Sequence, residues 1–399
     1  MTLTALLALP LVLLAQPGTV IGNPFEDGQA ALDDQDYDRA IVKFTEAIRL
    51  DPKNAVAYVG RGRCFGCEKR VKEAINDFSE AIRIDPEYGR AYHCRSNVRA
   101  QCGEFQLALA DADEAVRFEP ERALSHAQRG AMRRWTGDYD GAIAAYSRAL
   151  ELDPVRDADK YYFGRGDAYK KKGEYGKALA DFEAALLRNP GEGGYHFQRG
   201  DVHRLKGEYD QAIADVTDAI NLGPQAAFYL MRGACYVSNK DLDRALADYT
   251  SAIQLDPNNA SQLVARAHVH MLRREYAEGI ADAEAAMRLN PNSPDPYQML
   301  AWVMAQSSCA SVRDGKRALE YAKKACELKP EEDTPFGLVA AAYAELGDFA
   351  NALVWANKSL TTQKPGSRLW KNAKEELACF EAHRPFRSTE FEEWKPPSK

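Results

Sequence analysis

Residues 159–190 read DKYYFGRGDAYKKKGEYGKALADFEAALLRNP, and the placing of small, aromatic and helix-breaking residues in this stretch decides the fold. Gly173, followed by Glu174 and Tyr175, stops a first helix, because glycine takes the left-handed cap conformation at little cost. Pro190 follows a second helix that it could not continue from within. Ala178 and Ala185 lie seven residues apart on one face of that second helix, where a neighbouring helix must come close. The bulky Phe182 between them fills the space that small residues such as Gly166 leave. The stretch predicts a helix, a tight turn and a helix.

The same register runs outward in both directions. Pro52, Pro86, Pro120 and Pro154 are each 34 residues apart, and the series continues at Pro190, Pro224, Pro257, Pro291 and Pro330 with spacings of 36, 34, 33, 34 and 39. With this proline at position 32 of a unit, Ala40, Ala74, Ala108, Ala142, Ala178, Ala212 and Ala245 share position 20. Ala47, Ala81, Ala115, Ala149, Ala185, Ala219, Ala252, Ala286 and Ala325 share position 27. Position 8 is small (Gly28, Gly62, Gly130, Gly166, Gly200, Gly233), and position 24 is bulky (Phe44, Phe78, Tyr146, Phe182, Tyr249). Gly103, Gly137, Gly173, Gly207 and Gly347 hold the turn at position 15.

These residues closely resemble the tetratricopeptide repeat family, whose pattern is small at 8, 20 and 27 with proline at 32. The resemblance implies an all-α, right-handed superhelical solenoid of about ten helix-turn-helix repeats with a C-terminal capping helix. The repeats lie near 21–54, 55–88, 89–122, 123–156, 159–192, 193–226, 226–259, 260–293, 294–332 and 333–366, followed by a capping helix over 367–384 and a tail over 385–399. Leu369, Trp370, Leu377 and Phe380 form the apolar stripe of that cap. Repeat 3 has Ser96 and Ala112 where glycine and an aromatic are usual, which predicts looser packing. Repeat 9 carries extra residues around Ser307 to Asp314, read as a longer turn, and resembles a terminal module of exported bacterial repeat proteins.

A net charge of -7 with a pI near 5.7 argues against a nucleic-acid partner, which calls for a basic patch. Residues 1–20 read as a signal peptide or N-terminal anchor: Met1 to Phe25 has no charged side chain and Leu3 to Ala15 is almost wholly apolar. Export, to the periplasm or to a membrane tether, is the expected location. The eight cysteines are expected to be mostly small buried residues, since a chain of 399 residues builds a core without staples.

Catalytic chemistry finds no motif. Cys64 and Cys67 have the C-x-x-C spacing of redox and zinc sites, yet they fall within a first helix and lack a second pair. His268 and His270, two apart, point to different helix faces. The repeats consume nearly all of the chain, so no enzyme, cofactor or metal is expected.

One charge pattern goes beyond solvated faces. Position 7 is arginine in seven consecutive repeats (Arg61, Arg95, Arg129, Arg165, Arg199, Arg232, Arg266), and position 23 is aspartate in six of them (Asp77, Asp111, Asp181, Asp215, Asp248, Asp282). Repeat 1 reverses the signs with Asp27 and Lys43, and repeat 4 sets Arg129 opposite Ala145. The two positions change together, which predicts contact between the two helices of one repeat.

The family resemblance implies that positions 2, 5, 9, 12 and 13 of each first helix line an inner groove. In repeats 2 to 6 these are basic and aromatic: Arg63, His93, Asn97, Arg134, Trp135, Lys160, Phe163, Lys170, Lys171, Phe197 and Arg204, with Asp167 and Asp201 among them. Repeats 7 and 8 contribute Leu230, Val237, Val264 and Met271. The expected function is a scaffold binding a protein or peptide with acidic and apolar residues in this groove. A self-assembling envelope component and a regulatory subunit of a separately encoded enzyme are the alternatives.

Overall fold

The computed structural model describes residues 23–329 and 335–387. The leader, Pro330, the start of the tenth repeat at Asp333, the Leu369 side chain and the tail from 388 lie outside the described residues. Those described contain 21 α-helices, one short 3-10 turn and no strand. They fall into two compact units that divide between Ala185 and Leu186.

In the first unit α1 (Pro24–Asp33) pairs with α2 (Tyr37–Leu50), α3 (Ala55–Cys67) with α4 (Val71–Ile84), and α5 (Gly89–Gln101) with α6 (Phe105–Phe118). The pairs α7 (Ala123–Trp135) with α8 (Tyr139–Leu152) and α9 (Ala158–Lys171) with α10 (Tyr175–Arg188) follow, α10 running across the unit boundary. The second unit pairs α11 (Gly193–Lys206) with α12 (Tyr209–Leu222), α13 (Ala226–Ser238) with α14 (Leu242–Leu255), and α15 (Ala260–Leu272) with α16 (Tyr276–Leu289). It then pairs α17 (Pro294–Gln306) with α18 (Gly315–Leu328) and α19 (Phe336–Glu345) with α20 (Phe349–Thr362), before the cap α21 (Arg368–Glu381). The extra residues of repeat 9 form a longer turn containing the 3-10 segment Ala310–Val312. In the cap, Phe380 is fully buried and Leu377 packs beside it in the core cluster of the last repeats.

The turns explain the short helices. Gly103, Gly137, Gly173, Gly207 and Gly347 all take φ of 77 to 86°. Gln35, Lys69, Lys240 and Arg274 occupy the same turn position at φ of 60 to 62°, so four repeats force a side chain into the left-handed region. The acidic residue that follows then caps the second helix: Asp36, Asp138, Asp241 and Asp348 each accept a hydrogen bond from the backbone N–H three residues on. A left-handed non-glycine residue costs about 1–2 kcal/mol, part of which glycine returns as chain entropy. Lys240→Gly is therefore expected to stabilise its repeat by about 0.5–1 kcal/mol, read as slower hydrogen exchange in α13 and α14.

Packing follows the small-to-large pattern. A Cβ on Gly62 would lie 2.7 Å from the Phe78 ring, and one on Gly233 would lie 2.7 Å from Tyr249, so in these repeats the close approach of the two helices needs glycine opposite the aromatic. Repeat 3 is not loose, contrary to expectation. Ser96 and Ala112 exchange sizes, both are fully buried, and the side chain of Met132 from the next repeat joins Ala108 and Ala112 in one cluster. The Ser96 hydroxyl donates to the Ala108 carbonyl at 2.7 Å and accepts from Gln128 at 3.1 Å.

The cysteines also differ from expectation. Only Cys64 and Cys235 are buried, while Cys67 and Cys102 are exposed and the other four are half-buried. Cys102 caps the end of α5 and Cys309 lies in the long turn of repeat 9, so neither is in a position that packing encloses. Cys64 and Cys67 thus differ in burial on one helix, and burial pushes the Cys64 thiol up to about 11.

Candidate functional site

The paired charges form a ladder within each unit. Arg61 meets Asp77, Arg95 meets Asp111, and Arg165 meets Asp181 with two hydrogen bonds each at 2.7 to 2.9 Å. In the second unit Arg199 meets Asp215, Arg232 meets Asp248 and Arg266 meets Asp282 at 2.5 to 3.1 Å. The reversed pair Lys43 and Asp27 meets at 3.6 Å. Each contact joins the two helices of one repeat, as the covariation predicts.

The ladder has a third member that sequence reasoning missed. The remaining guanidinium nitrogen donates backward to a hydroxyl on the preceding repeat: Arg61 to Thr45, Arg95 to Ser79, Arg165 to Ser147, Arg232 to Thr217 and Arg266 to Thr250, at 3.0 to 3.4 Å. Serine or threonine at position 25 was the available signal. It was hidden because Asp113 and Glu183 occupy the same position in other repeats, so the column reads as ordinary polar surface.

The groove residues are more tied to one another than their charges suggest. In the first unit Arg63 is exposed, and neither it nor the exposed Lys171 makes an ion pair among the described residues. His93 shares a 3.2 Å hydrogen bond with Asn97, and burial, with Arg122 and Arg90, pushes its pKa down to about 4, so the ring is neutral at pH 7. Arg134 forms an ion pair with Asp167, and the Lys170 ammonium lies 3.5 Å from the same carboxylate. Asp167 is therefore a buried clamp between neighbouring repeats, not a lining group. Lys160, largely exposed, reaches Asp157 at 2.7 Å. Trp135 is 59% exposed and stacks on Phe105 with ring centres 5.0 Å apart, while Phe163 is half-buried on Phe182 at 5.8 Å.

In the second unit Phe197 is half-buried against Phe228 at 4.8 Å, and Arg204 is held by Asp201 at 2.7 Å. Met271 does not line a groove. It is 1% exposed because its methyl fills the space beside Gly279, where a Cβ would come within 2.8 Å of it. Leu230, Ala234 and Val264 instead line a cleft of about 740 Å³ together with Asn258, Asn259 and Asn290.

Comparison with known proteins fits this geometry. Family models described as tetratricopeptide repeat match residues 25–89, 163–227 and 226–259, and one described as TPR repeat matches 130–173. The chain belongs to the tetratricopeptide repeat family. Tetratricopeptide repeats generally serve protein–protein interaction. A tetratricopeptide repeat protein from Parabacteroides merdae shares the fold at a TM-score of 0.50 and 19% identity, over 62% of this chain and 97% of that one. Yeast Tom70 matches at a TM-score of 0.43 and 13% identity, covering 90% of this chain and 95% of its own. YrrB, described as a TPR protein with an unusual peptide-binding site, matches at 0.40 and 20% identity over 46% and 94%. No curated protein matches the chain by sequence.

Proposed function

We propose that this tetratricopeptide solenoid is a non-catalytic scaffold that holds a partner's peptide segment against the exposed faces of its first helices. The observation that carries the reading is Trp135, a large aromatic left 59% exposed on α7 yet fixed in orientation by its stack on Phe105. A rigid, exposed aromatic supplies contact area at little entropic cost, which is what an interface anchor needs. Arg63 and Lys171, exposed and without an ion pair among the described residues, favour an acidic segment, and the Leu230–Val264 cleft of the second unit suits an apolar side chain.

An affinity near micromolar corresponds to about -8 kcal/mol, whereas exposed charge pairs contribute about half a kcal/mol each. Trp135→Ala with Phe163→Ala is therefore expected to cost more affinity than Arg63→Glu with Lys171→Glu. The charge reversal should mainly slow association and flatten the salt dependence. The measurement is binding of a partner recovered by pull-down to both double variants at low and high salt. Unchanged affinity in both, with loss on substitution of second-helix surfaces, would overturn the groove assignment.

We also propose export through residues 1–20, on the uncharged and largely apolar character of that stretch. Mass spectrometry of the protein from cell fractions tests this. An unprocessed chain confined to the cytoplasm would refute it.

A further inference from the structure

Six of the seven consecutive position-7 arginines hold a carboxylate, and the seventh does not. Arg129 on α7 faces Ala145 of α8, which is 1% exposed and offers no acceptor. The Arg129 Nε is buried without a hydrogen-bond partner, and one terminal nitrogen reaches only His126 Nδ1 at 3.3 Å. No described residue makes an ion pair with it. The hydroxyl that its counterparts use is replaced by Asp113, whose carboxylate lies instead 3.8 Å from Arg133, itself 3.4 Å from Asp138. The electrostatics diverge accordingly. The hydrogen bond to Asp248 raises the Arg232 pKa, whereas burial, and then Arg133, lowers that of Arg129.

We infer that Arg129 and Ala145 form a carboxylate seat, a site for one monocarboxylate, either a small free acid or an acidic side chain of a partner. The counterpart repeats show its geometry: a planar carboxylate takes the Nε and one terminal nitrogen together, a two-point match made by flat acids rather than tetrahedral anions. There the arginine side chains stay 15 to 26% exposed while the aspartates are 5 to 11% exposed, so a carboxylate held in this way is largely enclosed. Asp113 at the edge selects for a single negative charge by repelling a dianion.

The test is the arginine Nε–H signals of the full chain in a proton–nitrogen spectrum, titrated with sodium acetate against sodium chloride at equal ionic strength. Arg129→Lys assigns the signal. The Arg129 signal should shift saturably with acetate, by about tenfold more than those of the six bonded arginines. Ala145→Asp should abolish the response by supplying an internal carboxylate, and Asp113→Asn should tighten it by about threefold. A capped Ala-Glu-Ala peptide that saturates the shift at lower concentration than acetate, with its glutamine analogue silent, assigns the seat to a partner's side chain. Response to acetate alone assigns it to a free acid. No shift beyond that of chloride, or a shift that persists in Ala145→Asp, overturns the inference.

Discussion

Replacing Phe78 by alanine is expected to destabilise the repeats around α4 by about 3–5 kcal/mol, the cost of emptying a fully enclosed aromatic site. Phe78 is 1% exposed and sits on Gly62, whose lack of a side chain leaves nothing to close the gap. Repeat 3 shows how the same place is filled without an aromatic. There Ala112 stands at the bulky position, and Met132, ten residues into the next repeat, packs beside it. Val98 is the counterpart of Met132 and lies in the cluster of Phe78. Val98→Met should therefore change sign with background, costing about 1–3 kcal/mol by overpacking in the native chain. Beside Phe78→Ala it should recover about 1 kcal/mol or more. Hydrogen exchange of α3 to α5 amides in the four chains checks this. A cost that does not depend on residue 78 would show that the two side chains do not share one space.

Asp248→Ala is expected to cost roughly 1–3 kcal/mol, more than an exposed ion pair and less than a wholly buried one. The Asp248 side chain is 7% exposed and that of Arg232 16% exposed, and the two make hydrogen bonds of 2.7 and 2.8 Å. Removing the carboxylate leaves a half-buried guanidinium held only by Thr217 and by nearby tyrosine rings. A cycle of Asp248→Ala with Arg232→Met isolates the pair term, since the double variant removes both charges. Coupling indistinguishable from zero would mean the ladder is incidental to stability.

The repeat architecture was legible because its markers are residue types with one conformational use. Proline at position 32 ends a helix, glycine at 15 turns it, and alanine at 20 and 27 admits a neighbour. The ladder was legible because Lys43 and Asp27 exchange signs together. Less visible were features whose residue type does not announce its role. Lys240 and Arg274 take the same left-handed turn as Gly173, yet read as solvated charges. The inner face read as basic because pairing between repeats is not a matter of spacing: Asp167 draws in Arg134 from the repeat before it and Lys170 from its own helix. Met271 was placed on the groove by register, while the void beside Gly279 draws it into the core.

The backward reach of the arginines has a consequence for how the chain is made. Five of the six ladder arginines find a hydroxyl 15 to 18 residues earlier, and all six find their aspartate 16 residues later. On a ribosome adding about 5–20 residues per second, a new first helix emerges with its hydroxyl already present and waits about one to three seconds for its carboxylate. Folding can therefore keep pace with translation, each repeat docking on its finished predecessor. Arg129 alone leaves the exit tunnel with no carboxylate to wait for.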